Sequence, residues 1–161
     1  MTAVRTTLVV LLLVASGCGH GRLLPGTTIP DTDVNRQVID TIEEYRARLI
    51  EKNVDGLLLL ASDKYFEDGG TPQANDDYGY AGLATVLSGR LQRVASIRYD
   101  INYRSIKFLG NSRVEVEAFL NGAFELQGEV GERFRRVSDY HRFVLERATS
   151  GTAKWKFLSG M

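Results

Sequence analysis

The stretch SIRYDINYR, residues 96–104, alternates apolar and polar side chains and decides how the rest of the chain is interpreted. Ile97, Tyr99, Ile101 and Tyr103 share one face, and the charged or amide residues between them share the other. A period of two is typical of a β-strand with one buried face. After Ser105 the apolar residues fall out of phase, which predicts a β-bulge or sharp bend there.

The residues that follow this strand predict three more strands separated by turns. Gly110 and Asn111 form a turn signal, and residues 113–127 then resume the alternation. Residues 133–148 predict a third long strand, and residues 153–158, which carry Trp155 and Phe157, predict the last. Four consecutive strands joined by short connections indicate an antiparallel meander.

The residues that precede the strand region predict three helices. Val38, Ile42, Tyr45 and Leu49 recur at spacings of three and four, which gives a first helix that begins near Asp33 as its N-cap. A short helix over residues 56–61 contains four consecutive leucines, and a helix that is apolar all round should be covered on most sides.

A short strand over residues 64–68 and a loop over residues 69–77 separate the second helix from the third. Asp76 or Asp77 would cap the third helix. Its apolar face is predicted to contain Tyr80, Leu83, Val86, Leu87, Leu91 and Val94. Three N-terminal helices packed on a curved four-stranded antiparallel sheet make an α+β domain over residues 33–161.

The first residues predict a secretory signal with a lipid attachment site. Arg5 precedes an apolar run over residues 8–15, small residues follow, and Cys18 is the only cysteine in the chain. This order resembles the lipobox of bacterial lipoproteins, with residues 1–17 as the signal peptide and residues 18–32 as the lipidated cysteine and a flexible tether. Ala15 departs from the leucine that is usual there.

Other interpretations of the N-terminal segment fit it less well. A transmembrane helix needs about 20 apolar residues, and this run is much shorter. A plain signal peptide would leave a free thiol in an oxidising compartment. The glycines at 17, 19 and 21 lack the strand and helix that a nucleotide-binding loop requires. The expected location is the cell envelope, and the absence of aspartate after Cys18 favours the outer membrane, facing the periplasm.

Composition excludes several classes of partner. Without the signal peptide the chain would carry 19 basic and 20 acidic residues, so neither nucleic acid nor anionic lipid would be held electrostatically. Two histidines and one cysteine make a zinc site improbable, and no cofactor or metal is predicted. The basic run over residues 133–136 opens a strand, where charged residues deter strand addition; a docking patch is the alternative.

Two short segments resemble the nuclear transport factor 2-like superfamily, which includes ketosteroid isomerase and polyketide-cyclase-like proteins. They are KNVDGL at residues 52–57 and KWKFL at residues 154–158, together with the order of the elements. The resemblance implies a cone in which a curved sheet wraps the helices and leaves a pocket open at one end. It covers residues 33–161 and is far more specific for fold than for function.

Three positions are similar to catalytic positions of ketosteroid isomerases. These enzymes have a tyrosine in the first helix, an aspartate that ends a Glu-Asp pair after the second helix, and an aspartic acid that starts an Asp-x-x-Arg-Phe stretch. The resemblance implies that Asp68 is a general base and that Tyr45 and a protonated Asp139 hydrogen-bond a developing enolate. Each position also has a structural interpretation: Tyr45 as core, Asp68 as a turn cap, and Asp139 as a salt-bridge partner.

The leading hypothesis is a lipid-anchored envelope protein that binds a small hydrophobic ligand or a partner protein without catalysis. The residues expected to line its pocket are Tyr65, Tyr80, Tyr99, Tyr103 and His141. The first alternative is an isomerase or cyclase that requires Tyr45, Asp68 and Asp139 to converge on one cavity. The second is a structural module that forms a homodimer through the open face of the sheet.

Overall fold

The computed structural model describes residues 21–69, 76–128, 134–151 and 153–161. The chain folds as α+β, with three helices and a four-stranded antiparallel sheet of order β3-β4-β5-β6. A separate pair, β1 and β2, lies between the second and third helices along the chain. In chain order the elements are α1 (Asp33–Ile50), α2 (Val54–Leu60), β1 (Phe66–Glu67), β2 (Tyr78–Gly79), α3 (Tyr80–Leu91), β3 (Val94–Leu109), β4 (Arg113–Leu126), β5 (Phe134–Arg147) and β6 (Trp155–Ser159).

The long strands follow the predicted alternation, including its interruption. The pairing of β3 with β4 shifts register between Tyr103 and Ser105, where the sequence predicts a bulge. On β3 the side chains of Ile97 and Tyr99 are buried, whereas Arg98 between them is exposed. Because the inner face is apolar and the outer face is polar, the sheet has a unique side that can cover the helices.

Helix α1 is anchored to the sheet by the predicted apolar stripe. Val38 and Ile42 are completely buried, and Tyr45 and Leu49 are nearly so. The prediction of the cap was wrong by one residue: the Thr32 side chain accepts from the Asn35 N–H, and Asp33 is the first helical residue. A hydroxyl with extended backbone fills the N-cap position as well as a carboxylate does.

Helix α2 is covered on most sides, as predicted, with one exception. Asn53 caps it by accepting from the Gly56 N–H, and Leu57 and Leu60 are buried. Leu58 is partly buried and packs against the core. Leu59, which is 74% exposed, faces solvent.

The segment before β3 also differs from the prediction. Tyr78 and Gly79 form β2, and Gly79 instead of Asp76 or Asp77 occupies the N-cap of α3, without a side-chain cap. Tyr80 is exposed at the start of α3, and Val94 begins β3 instead of extending the helix. A two-residue pairing is too short to leave a period in the sequence.

Residues 21–32, within the predicted tether, form a closed turn against α1. Leu23 bridges to Pro30, Ile29 is buried, and the Asn35 side chain donates to the Pro30 carbonyl. The predicted signal peptide and Cys18 lie outside the described residues, as do most of the predicted loop over residues 69–77, Arg133 in the basic run, and position 152 in the predicted last turn.

The core lies between α1 and the inner face of the sheet. Three of its four largest completely buried side chains, Phe143, Trp155 and Phe157, belong to the second half of β5 and to β6, and the fourth is Tyr65. Tyr45 packs its ring against Phe143 at 5.9 Å and against Phe157 at 5.3 Å between centroids. Edge-on contacts of this kind add directional attraction to the burial of apolar area.

The chain passes very close to β5 at Gly160, after β6. Gly160 has a φ of +92°, and a Cβ there would lie 2.5 Å from the Arg142 carbonyl oxygen. That oxygen belongs to the backbone of a paired strand and cannot move aside. Glycine is therefore required by both conformation and space.

Replacement of Gly160 by alanine should lower the free energy of unfolding by about 2–4 kcal/mol, because left-handed strain and steric overlap add together. Gly151→Ala is the matched control, since Gly151 has a φ of +88° and nothing lies within 4 Å of the position that a Cβ would occupy there. It should lose only the strain, about 1 kcal/mol. Urea unfolding measures both; equal losses would show that the contact with Arg142 is unimportant.

A polar network joins β5 to the segment after α2. The buried Ser62 hydroxyl donates to Glu146 Oε1 at 2.5 Å, and Lys64 Nζ lies 2.9 Å from Glu146 Oε2. Partial burial alone would raise the pKa of Glu146, but the Ser62 hydrogen bond and the Lys64 ammonium outweigh it and lower that pKa. The ionised carboxylate is thus the form that the fold stabilises.

The pKa of Glu146 is lower in the folded chain than in the unfolded chain. Its contribution to folding stability is therefore fully present at pH values above the ordinary glutamate pKa, and it is lost as the pH falls through the pKa of the folded state. Glu146→Gln should therefore destabilise the protein by about 1 kcal/mol at neutral pH and by progressively less in acid. Denaturant unfolding from pH 7 to pH 3 tests this, with Glu115→Gln on β4 as the control. A constant difference across that range would contradict the assignment.

Candidate functional site

Two tyrosines, Tyr45 on α1 and Tyr99 on β3, pack against each other inside the cone. Their ring centroids are 6.4 Å apart and their ring planes are nearly perpendicular. Burial raises the pKa of Tyr45 well above its usual range. Burial also raises the pKa of Tyr99 to about 12. Both phenols therefore keep their protons at physiological pH.

Gly122 on β4 leaves the space that the Tyr99 ring occupies. Tyr99, Gly122 and Val137 lie in register across β3, β4 and β5. A Cβ on Gly122 would lie 3.2 Å from the Tyr99 ring and 3.0 Å from the ring of Phe124. Gly122 is not among the site residues predicted from the sequence, although an isolated glycine inside a strand is a recognised sign of close approach.

The inner face of the sheet is uncovered at one end, which we call the cone mouth and define by Phe124, Val137, Asp139 and His141. The last three alternate along β5 with the same phase as buried Phe143, so they belong to the inner face. Yet Val137 is 39% exposed, Asp139 is exposed and His141 is half-buried. An inward-facing apolar residue that no helix covers is the usual sign of a binding surface.

A polar network inside the cone forms what we call the floor, which is defined by Tyr65, Glu67, Gly160 and Met161. Glu67 Oε2 accepts from the Tyr65 hydroxyl and from the Gly160 N–H, both at 2.7 Å. The Met161 N–H donates to the Tyr65 oxygen at 3.1 Å. Burial raises the pKa of Tyr65, and the bond to Glu67 raises it further. His141 Nε2 lies 2.9 Å from the Gly160 carbonyl oxygen, so the mouth and the floor share this backbone segment.

The three predicted catalytic residues do not converge. Tyr45 is 4% exposed and lies among aromatic rings, whereas Asp68 is exposed on the segment after β1. Asp139 is exposed at the mouth, where its Oδ1 accepts from the Tyr140 N–H. The structural interpretation of Tyr45 as a core residue is confirmed by its burial.

Glu67, not Asp68, is the carboxylate of the Glu-Asp pair that faces the cone. It is half-buried and lies close enough to Tyr45 to raise the pKa of that phenol. Neighbouring strand residues point to opposite sides, so a strand at this position can direct only one of the two inward. Tyr65 is aromatic and lies two residues before Glu67, so the sequence indicated that Glu67 shares its inward face.

The predicted ligand-binding residues divide into two groups. Tyr65 and His141 make hydrogen bonds at the floor and the mouth, and Tyr99 packs against the rings of Tyr45 and Phe124. Tyr80 is 40% exposed on α3, and the Tyr103 hydroxyl donates to Glu43 on α1 at 2.6 Å. Tyr103 therefore joins α1 to β3, and burial together with the Glu43 bond raises its pKa.

Two surface pockets that described residues line lie outside the cone. One of about 460 Å³ lies beside α1 and β3, and one of about 390 Å³ lies beside α2. Neither has Tyr45, Tyr65 or Tyr99 in its wall. The space around Tyr45 is filled by rings, so a ligand would contact the cone at its mouth.

Within the part of the chain that the structure describes, no three histidine, cysteine or acidic side chains are grouped as a metal site would require. No helix there combines the length and the apolar character needed to cross a membrane.

No protein-family model and no curated protein matches the sequence. Solved structures do match its fold. A scytalone dehydratase-like protein from Novosphingobium aromaticivorans aligns with a TM-score of 0.67 and 14% identity, over 79% of this chain and 80% of that one. A ketosteroid isomerase-like protein from Erwinia carotovora atroseptica aligns with a TM-score of 0.61 and 14% identity, over 79% and 92% of the two chains.

A dehydratase-like protein of the nuclear transport factor 2-like family from Streptomyces avermitilis aligns with a TM-score of 0.56 and 12% identity, over 78% of this chain and 92% of that one. At such low identities the likeness concerns the fold alone. The chain therefore has the cone fold of nuclear transport factor 2-like proteins, as the sequence resemblance predicts.

Proposed function

We propose that the cone mouth binds a small, mainly apolar molecule that carries a carbonyl or hydroxyl oxygen, and that the protein does not transform it. The observation that carries this proposal is the uncovered inner face at the mouth, where the 39% exposed Val137 lies in register with Gly122 and Tyr99. Burial keeps the Tyr99 phenol protonated, so its O–H can donate to a ligand. A protonated phenol below an apolar rim suits an oxygen atom on an apolar ligand.

The rim has the composition that such a ligand needs. Phe124 and the exposed Val137 supply apolar surface, and His141 and Asp139 supply polar groups at the edge. Tyr45 packs edge-on against Tyr99, and Gly122, which has no Cβ, lets the Tyr99 ring lie close to β4. A fixed donor among apolar walls binds with little loss of side-chain entropy.

Catalysis through Asp68 is not part of the proposal. A general base must reach the proton that it removes, and Asp68 lies on the surface while Tyr45 lies inside the core. The names of two structural neighbours refer to a dehydratase and an isomerase. Those names support the use of this fold for ligands with oxygen-bearing rings, but they do not extend a reaction to this chain.

A native mass spectrum of the protein, purified from a periplasmic expression host, tests for a natural ligand. Extra mass that disappears on denaturation would support the proposal and identify the chemical class of the ligand. A bare polypeptide mass, together with no binding of the fluorescent aromatic ketone prodan, would overturn it.

Tyr99→Phe should weaken binding of prodan about fivefold, because it removes one donor to the ketone carbonyl and keeps the ring. Tyr140→Phe is the matched control, since Tyr140 is 68% exposed on the outer face of the sheet. Fluorescence titration gives both dissociation constants. If the two variants bind prodan equally well, Tyr99 is not the donor.

We infer that the domain is held in the bacterial cell envelope by a lipid on Cys18, at the outer membrane and facing the periplasm. The support is the order of Arg5, the apolar run and Cys18 in the sequence. One acyl chain binds a membrane only weakly, so stable anchoring implies that several chains are attached.

Cys18→Ser should move the protein from the membrane fraction to the soluble periplasmic fraction, since no acceptor for the lipid would remain. Detergent phase partitioning of labelled cells measures this, and Ser16→Ala, which keeps the cysteine, serves as the control. An unchanged membrane association of Cys18→Ser would show that something other than a lipid retains the protein.

A further inference from the structure

The first half of β5 has a free edge. The final strand β6 pairs only with Val144–Arg147, and Gly160 after it lies against Arg142. Within the described chain no strand lies against residues 134–140 on the side away from β4. Every residue from Phe134 to Tyr140 is exposed, on both faces of the sheet. A row of unpaired backbone groups with exposed apolar side chains is a template for another strand.

The backbone direction at this edge can be read from Tyr140. The Tyr140 N–H donates to Asp139 Oδ1 at 2.7 Å, so this N–H points away from β4. Successive residues of an antiparallel strand direct their N–H and C=O groups to alternate sides. The residues that face the free edge are therefore Phe134, Arg136, Ser138 and Tyr140.

We propose that this edge pairs with the same edge of a second copy of the chain, antiparallel and centred on Val137. In this register Phe134 lies opposite Tyr140 of the second copy and Arg136 lies opposite Ser138. These are the residues whose backbone groups face the edge, so each such pair exchanges two backbone hydrogen bonds. The Tyr140 N–H then changes its acceptor from Asp139 to a backbone carbonyl.

The charges at this edge would deter an unrelated strand, but they are complementary to those of a second copy, which identifies that copy as the partner. Arg135 and Asp139 lie two residues before and two residues after Val137 and on the same face of the sheet. A two-fold axis at Val137 therefore places Arg135 of each copy opposite Asp139 of the other copy. Two such ion pairs flank the central pair of Val137 side chains. Opposite charges directly across an antiparallel pair are favourable, and like charges are not.

The outer face is complementary in the same register. Tyr140 already packs edge-on against Phe119 at 5.2 Å, with Arg104 over its ring. Phe134 of the second copy would extend this aromatic row across the axis. Pairing centred on Ser138 instead would place Asp139 opposite Val137 and would leave both charges without a partner.

The pairing is independent of the proposed ligand but brings two cone mouths side by side, because Val137 and Asp139 belong to the mouth. The contact is small for a protein interface, so a reversible dimer is expected. Docking through the face of the sheet is the competing arrangement, and disulfide trapping together with charge reversal distinguishes the two.

Disulfide trapping tests the register in full-length protein that carries Cys18→Ser. Val137 would form a pair without backbone hydrogen bonds across the axis, with Cα atoms about 4.5 Å apart, which suits a disulfide. Val137→Cys should give a covalent dimer on mild oxidation, and Ser138→Cys should give at least about tenfold less. Equal trapping, or preferential trapping of Ser138→Cys, would overturn the proposal.

Charge reversal tests the partner. Arg135→Glu and Asp139→Arg should each weaken dimerisation at least about tenfold, because each places like charges opposite one another twice. Mixed together, the two variants should form a heterodimer, since every pair is then complementary. Arg113→Glu, at the far end of the sheet, is the control for net charge. Sedimentation velocity measures all four; a wild-type monomer at every concentration, or no recovery on mixing, would overturn the proposal.

Discussion

Three rings of the sheet close around Tyr45, and the positions of the other elements follow from this contact. Tyr45 approaches Phe157, Phe143 and Tyr99 at centroid distances of 5.3, 5.9 and 6.4 Å, which ties α1 to β6, β5 and β3 at once. The contact fixes the angle of the helix and the curvature of the sheet. It also occupies the interior of the cone, so the surface left for binding is the mouth.

The long helices and strands could be predicted because the apolar residues of each repeat at a regular spacing in the local sequence. Alternation defines β3 and β4, the stripe of Val38, Ile42 and Tyr45 defines α1, and the phase change after Ser105 coincides with the register shift. Such patterns reflect which face is buried, and burial is a property of the whole element.

The remaining features depend on contacts between distant segments. In the pair Glu67 and Asp68, Glu67 faces inward and accepts a hydrogen bond from the N–H of Gly160, which lies far along the chain. Leu59 is exposed although it belongs to a run of four leucines, and the local sequence does not distinguish it from its buried neighbours. Of the tyrosines named from the sequence, Tyr45, Tyr65 and Tyr99 are buried, whereas Tyr80 is exposed. The sequence does not distinguish them, because an aromatic residue at helical or strand spacing looks the same in a core and in a pocket.

Strand β5 is supported unequally along its length. Its second half pairs on both sides and carries completely buried Phe143 and Leu145, while its first half pairs on one side and is exposed throughout. Opening of the first half would break few core contacts, so its local free energy of opening should lie well below that of the whole domain. Residues 134–140 can therefore be exchanged by mutation at little cost to folding. Recognition at this end of the cone is free to diverge while the buried half of the same strand keeps the fold.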